Sequence, residues 1–329
     1  MKIERCYHPD TPELLQQLCQ TPQMQRLRQV GMNCGCEYTS FKRFRRLRGY
    51  SRFDHSLGTA RIVWHFTGDP VQSTAALFHD IATPTFAHSV DFLRGDHLKQ
   101  EATEEATERV IRSSEEIGAV IKAFDIPVEE VLDYHRYPIA DNDAPRLSAD
   151  RLEYTLGNLE NFRLRPVTSL RLYYGAICVA QNEEGVEELA FSDAATAMEF
   201  GYDALRCSRI YVSDEDRYAM QMLSELLGRA LQRGILTEGD LMSTEKALIE
   251  KLRQDPEAEA EWKAFRAMKR MVEDEELAPE ALRRVVPAKK RCIDPFVRDR
   301  GRLSRICEPF AEALQEFREQ DQSHWICAR

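Results

Sequence analysis

Apolar residues recur at three- and four-residue intervals through most of this chain, and that spacing leaves little room for a sheet-based fold. Leu14, Leu15, Leu18, Met24, Leu27 and Val30 fall on one helical face of residues 13–30. Residues 55–66, 73–80, 101–124, 146–159 and 214–232 read in the same way. A further long helix is capped by Ser192 or Asp193. Gly68-Asp69-Pro70 breaks the chain between two of these stretches. The exception to the helical spacing is a pair of segments, residues 170–179 and 187–191, flanking Asn182-Glu183-Glu184-Gly185, which reads as a hairpin turn. The expectation is a mostly α fold with one short β-hairpin.

With 43% hydrophobic and 30% charged residues among 329, the chain has enough apolar material for one large domain, or one domain with an appendage. A change to charged composition puts a boundary near residue 240. It divides a core, residues 1–240, from a charged and mostly helical extension, residues 241–329, in which residues 285–295 read as an edge strand. No apolar run approaches the roughly 20 residues that span a bilayer, so no membrane partner is expected. The first residues lack the apolar core of a signal peptide. Nine scattered cysteines then read as reduced thiols of a cytoplasmic protein; Cys34-Gly35-Cys36 is their one close pair and a weak zinc signal. A net charge of −10 argues against broad nucleic-acid binding as the main task. Nucleic acid is thus a less favoured partner. Lys42-Arg43-Phe44-Arg45-Arg46-Leu47-Arg48, after Phe41, reads either as a phosphate-collecting or nucleic-acid rim or as a solvated face paired with acids. Lys289-Lys290-Arg291 reads as surface or as a contact between copies in a homo-oligomer.

The chemistry concentrates in three short pieces. Ser51-Arg52-Phe53-Asp54-His55-Ser56-Leu57-Gly58 comes first, His79-Asp80 second, and Ser148-Ala149-Asp150-Arg151-Leu152-Glu153-Tyr154 third. They supply two imidazoles and two carboxylates on helices, a donor set that suits one divalent ion with room for water. Neighbours on a regular helix diverge, so His79 and Asp80 reach one ion only at an irregular helix end. Ile81-Ala82-Thr83-Pro84 provides such an end. Any one of these histidines alone reads as an ordinary packed or surface residue; the conjunction carries the signal. His88 and Asp91, three apart, form a candidate acid pair near a leaving group. His135, in an aromatic-rich stretch, is a candidate for a pocket mouth.

Together the three pieces resemble the HD-domain metal-dependent phosphohydrolases, and most closely their deoxynucleoside-triphosphate triphosphohydrolase branch. The likeness covers residues 45–235 well and the remainder loosely. His79-Asp80-Ile81-x-x-Pro84-x-Phe86-x-His88 looks like the second motif of that branch, and Asp150-Arg151-Leu152-x-Tyr154 like its third. The resemblance implies an all-helical core in which His55, His79, Asp80 and Asp150 hold one divalent metal: manganese, iron, cobalt, nickel, zinc or magnesium. It also implies that Arg52 contacts substrate phosphate and that Tyr154 stacks on or hydrogen-bonds the sugar. The implied reaction is attack of a metal-activated water at phosphorus, releasing nucleoside and triphosphate. Two departures stand out: Thr83 occupies the place of an accessory histidine, and Gln100-Glu101 the place of a His-Glu pair, with His97 a nearby substitute. Alternatives are a nucleoside monophosphatase, a hydrolase of cyclic or signalling nucleotides, and a non-catalytic sensor of nucleotide or nucleic acid that keeps the metal as a clamp.

Overall fold

A computed structural model describes residues 3–95, 104–272, 279–287 and 289–329. Two short helices, α1 (Glu13–Leu18) and α2 (Pro22–Arg26), replace the single face expected over residues 13–30. Pro22 drives Thr21 into extended backbone and ends the first of them. The long α3 (Arg52–Thr67) starts at a capping box: Ser51 and Asp54 each accept from the other's backbone N–H. Next comes α4 (Pro70–Phe78), whose N-cap Asp69 accepts from Val71 and Gln72. Three helices follow, α5 (His88–Arg94), α6 (Glu104–Ser113) and α7 (Glu115–Ala123). The single helix expected over residues 101–124 is interrupted because the Ser114 hydroxyl caps a new start by accepting from Ile117 N.

The third motif lies on α8 (Ala149–Asn161), begun by the Ser148 cap rather than at residue 146. Residues 170–175, expected beside the hairpin in extended form, instead belong to α9 (Val167–Gly175), which buries Leu170, Tyr173 and Tyr174 at helical spacing. The hairpin itself is β1 (Ile177–Gln181) against β2 (Glu187–Phe191), antiparallel with Ile177 opposite Phe191. Its turn is held by Asn182 Oδ1, which accepts from Glu184 and Val186, and by Gly185 at φ 75°. Asp193 caps α10 (Ala194–Tyr211), and α11 (Asp214–Gln232) runs as expected.

Among the described residues, five further α-helices and two two-residue strands follow. They are α12 (Glu238–Leu241), α13 (Glu245–Leu252), α14 (Pro256–Ala267), β3 (Phe296–Val297), β4 (Gly301–Arg302), α15 (Leu303–Ile306) and, last, α16 (Glu308–Glu319). The edge strand expected over residues 285–295 is displaced: Pro287 has no N–H for a ladder, and β3 starts only after Pro295. Its pairing with β2 is parallel, making a four-stranded sheet in the order β1-β2-β3-β4. The fold is therefore mostly α, as the spacing predicts.

Three buried clusters organise the molecule. One joins α3 and α8 to the sheet and α10, another joins α1, α4 and α7, and a third joins α11 to α12, α13 and α14. In the last, Leu248, Leu252 and Trp262 pack with Phe41, Phe86 and Leu223, so residues on both sides of position 240 share one core. No helix among the described residues is long and apolar enough to cross a membrane.

Candidate metal centre and its cavity

Helices α3 and α8 pack together with α4 against α3, which brings the three sequence motifs to one place. His55 lies in the first turns of α3. His79 is the residue at which α4 ends, and Asp80 begins the turn that follows, closed by Ile81 N to Phe78 O (2.9 Å) and Thr83 N to Asp80 O (2.9 Å). That irregular end lets neighbours converge: His79 Nε2 is 3.5 Å from Asp80 Oδ2. His55 Nε2 lies 3.0 Å from His79 Nε2, 3.9 Å from Asp80 Oδ2 and 3.0 Å from Asp150 Oδ1. Asp150 Oδ1 is also 3.8 Å from His79 Nε2. Donor atoms of His55, His79 and Asp80 all fall within 4.8 Å of one another.

The outer partners fix which nitrogens face inward. His79 Nδ1 lies 2.7 Å from the Ala76 carbonyl, which only accepts, so Nδ1 carries hydrogen. His55 Nδ1 lies 2.6 Å from Glu153 Oε2. In the neutral rings, both Nε2 lone pairs then meet across 3.0 Å beside two carboxylates. Lone pairs and anions so placed repel unless a cation or a proton lies among them, and the donor set suits a divalent ion. Without an ion a proton does that work. Burial opposes charge on His55, but its hydrogen bonds to Asp150 and Glu153 outweigh it and push its pKa up to about 10. Asp150 drops to about 2 despite burial, held down first by His55. Asp80 is likewise held well below the usual carboxylate range: burial opposes this, and Arg52 leads the charges that overcome it.

Glu153 escaped the sequence reading. It is 0% exposed and accepts from the Tyr7 hydroxyl (2.7 Å), the Tyr50 hydroxyl and His55. Its signal was present: a carboxylate one turn after Asp150, between Leu152 and Leu156 on the buried face of α8. Arg52, expected on phosphate, is buried and gives Nη1 to both oxygens of Asp80 (3.1 and 2.9 Å). Its Nε is a buried donor with no partner among the described residues. Thr83 gives its hydroxyl to Asp80 Oδ1 at 2.7 Å, so the departure from the resembled motif still supports that carboxylate.

A cavity of about 850 Å³ opens onto this centre. Arg52, His55, His79, Asp80, His88, Asp150 and Tyr154 all line it. Burial pushes the Tyr154 hydroxyl up to about 12, and its ring meets Tyr211 edge-on at 6.3 Å. His88 Nδ1 is 2.8 Å from Asp91 Oδ2, the pairing expected from their spacing. Burial lowers the His88 pKa; Asp91 works against this, and the charges of Arg291 and Arg52 add to it. His88 follows two consecutive non-glycine residues of positive φ, Phe86 (65°) and Ala87 (44°). Such backbone costs about 1–3 kcal/mol per residue. It is held by Phe86, fully buried against Tyr38 and Trp262.

His135 lines the cavity, as the sequence suggested. Lys289, Lys290 and Arg291 also line it; Lys289 is exposed, in keeping with the surface reading of that patch, and the cavity is an addition to it. The other basic stretch offers no stacking platform: Phe41 and Phe44 are buried, while Arg43 and Arg48 approach Glu215 (3.8 Å) and Glu160 (3.9 Å). Cys34 and Cys36 are buried free thiols and join no metal-type cluster among the described residues. His97, Gln100 and Glu101 lie outside the described residues.

Fold and site define a mostly α protein with a two-histidine, two-carboxylate centre at the base of a cavity. No family model matches the chain. An uncharacterized protein of Bacillus subtilis, YdhJ, is 24% identical over 206 residues, which are 62% of this chain and 61% of that protein. The chain thus matches about three fifths of the length of this curated relative. In three dimensions the chain is similar to the crystal structure of a hypothetical protein from Aquifex aeolicus. The TM-score is 0.62 at 15% identity, over 97% of this chain and 92% of the other, a likeness of fold.

Proposed function

We propose that this protein is a metal-dependent phosphohydrolase that cleaves a deoxynucleoside triphosphate to nucleoside and triphosphate. The observation that supports this reading is the cluster of His55, His79 and Asp80 donor atoms within 4.8 Å of one another, with Asp150 against both histidines, on the wall of one cavity. The resemblance of the surrounding motifs to the triphosphohydrolase branch supplies the substrate class. An ion held by these four side chains would polarise a phosphoryl oxygen and make a bound water acidic enough to ionise near neutral pH.

The chain's own residues do the rest. Glu153 keeps the His55 proton on Nδ1, and the Ala76 carbonyl does the same for His79, so both Nε2 atoms remain donors of electron pairs. Arg52 and Thr83 fix the Asp80 carboxylate, and Arg52, which lines the cavity, is the residue we assign to substrate phosphate. Tyr154 offers an aromatic face and a hydroxyl to the sugar. With Nδ1 against Asp91, His88 handles the leaving-group proton at Nε2. Its depressed pKa leaves it neutral in the free protein near pH 7. A phosphate anion beside it favours the protonated form that donation needs.

The test is metal analysis of freshly purified protein, followed by product analysis with a panel of nucleotides. We expect free triphosphate from the wild type, and Asp150→Ala to lose bound metal and turnover together. Orthophosphate with nucleoside would instead identify a monophosphatase. Nucleotide binding without turnover by the metal-loaded wild type would identify a sensor. Either result overturns the proposal.

A further inference from the structure

The turn that carries Asp80 is held by Arg26, the last residue of α2. Arg26 Nη2 donates to the Ile81 carbonyl (3.1 Å) and to the Thr83 carbonyl (2.7 Å), and its Nη1 donates to the Ser243 carbonyl (3.2 Å). The guanidinium is thus spent on backbone carbonyls of two segments far apart in sequence. Ser243 is itself fixed, since its N and its hydroxyl both donate to Asp240 O (3.1 and 2.6 Å). Just past Pro84 a second tie runs the same way: Thr85 N donates to Leu241 O at 2.7 Å. The segment that follows His79 is therefore fastened to residues 241–243 at two points.

Carbonyls at and beyond the end of a helix have no partner within it. Ile81, Ala82 and Thr83 are buried, so water is a poor substitute for the donors that Arg26 supplies. The irregular path of this turn is what brings His79 Nε2 to 3.5 Å from Asp80 Oδ2, and Thr83 steadies the same carboxylate through its hydroxyl at 2.7 Å. A rigid guanidinium fork holds several carbonyls at once, which a single ammonium on a flexible stem does less well. We propose that Arg26 is a positioning residue of the metal centre: by joining the Ile81 and Thr83 carbonyls to Ser243, it keeps the turn in the form in which His79 and Asp80 converge, and so makes ion binding depend on the segment around residues 241–243. This rests on the metal reading above, though not on the substrate assigned there.

The test titrates the full-length apoprotein with cobalt(II), whose visible absorption bands report ligand geometry, in wild type, Arg26→Gln, Arg26→Lys and Leu314→Ala. Leu314 is buried in a separate cluster with Leu205, Phe310 and Phe317, and its truncation lowers stability without touching the turn. Arg26→Gln is expected to weaken cobalt binding by about tenfold and to shift the bands, as the loss of an outer partner does. Arg26→Lys should bind with intermediate affinity, and Leu314→Ala should keep the affinity and bands of the wild type. Wild-type affinity and bands in Arg26→Gln overturn the inference. So does an equal loss in Leu314→Ala, the mark of general destabilisation. Should Arg26→Gln fail to fold, Arg26→Lys decides: weaker binding with shifted bands supports the inference, and unchanged values overturn it. A wild type that takes up no cobalt overturns the metal reading itself.

Discussion

Glu153 shows how much of a centre lies behind its inner residues. Three hydrogen-bond donors converge on one carboxylate at 0% exposure: Tyr7, Tyr50 and the imidazole of His55. A glutamine there has one acceptor oxygen and brings two donors of its own, so at least one buried partner loses its bond. We expect Glu153→Gln to lower metal affinity about 10- to 100-fold, the usual range for loss of such an outer partner. Titration of the apoprotein with manganese or zinc measures it. Wild-type affinity in the variant would remove Glu153 from the support of the centre. At this scale the sequence was informative where residue types are scarce. The histidines and paired aspartates stood out by type and spacing. Glu153 did not, because acidic residues are common in this chain and its burial depends on Tyr7 and Tyr50, which arrive from elsewhere.

Among the elements, the packing of α3 on α8 sets the registration of the site. Gly58 sits one turn beyond His55, and a Cβ there would lie 2.5 Å from Glu153 Oε1 and 2.7 Å from its Cδ. Glycine is needed for close approach, since Glu153 has no route to solvent. Gly58→Ala should cost about 1–3 kcal/mol of stability through overpacking. It should also weaken metal binding by displacing Glu153. Urea unfolding and a metal titration measure the two effects, and an unchanged pair of values would mean that the helices separate freely. Helix identity was legible from apolar spacing, and Pro70 and Asp69 marked the start of α4. Where the reading ran helices together, at Thr21 and Ser114, one proline and one capping hydroxyl decided the break. The α9 segment was misread because Tyr173, Tyr174 and Leu170 suit a strand as well as a helix, and only their burial pattern separates the two.

For the molecule as a whole, contacts between distant segments were the least legible. Glu245 of α13 accepts from Gly31 N (2.7 Å) and the Tyr38 hydroxyl (2.7 Å), tying residues beyond position 240 to the segment that leads into α3. Glu37 shares that site, and its Oε2 has no hydrogen-bond partner among the described residues. Burial first, then the Glu245 charge, pushes Glu37 up to about 8 from an ordinary value of 4.5. The folded chain thus holds a proton that the unfolded chain releases, and stability falls as pH rises from about 4.5 to about 8. Glu37→Gln has no such proton to lose. Its stability relative to wild type should grow as pH rises across that window. Urea midpoints at pH 5 and pH 8 check this, and a difference independent of pH would refute it. The same long reach explains why the place of Lys289-Lys290-Arg291 beside the cavity was not legible: nothing local signals that Val286 and Asp294 are tied to Arg217 and Pro145. The two-residue strand β3 also has a consequence for the order of events at the ribosome. Each histidine and aspartate of the centre has been synthesised by position 150, whereas β2 must wait for Phe296 for its β3 partner, and the sheet is complete only at Arg302. A growing chain therefore carries the two histidines and two aspartates of the centre well before it carries Lys289, Lys290 and Arg291 of the cavity lining.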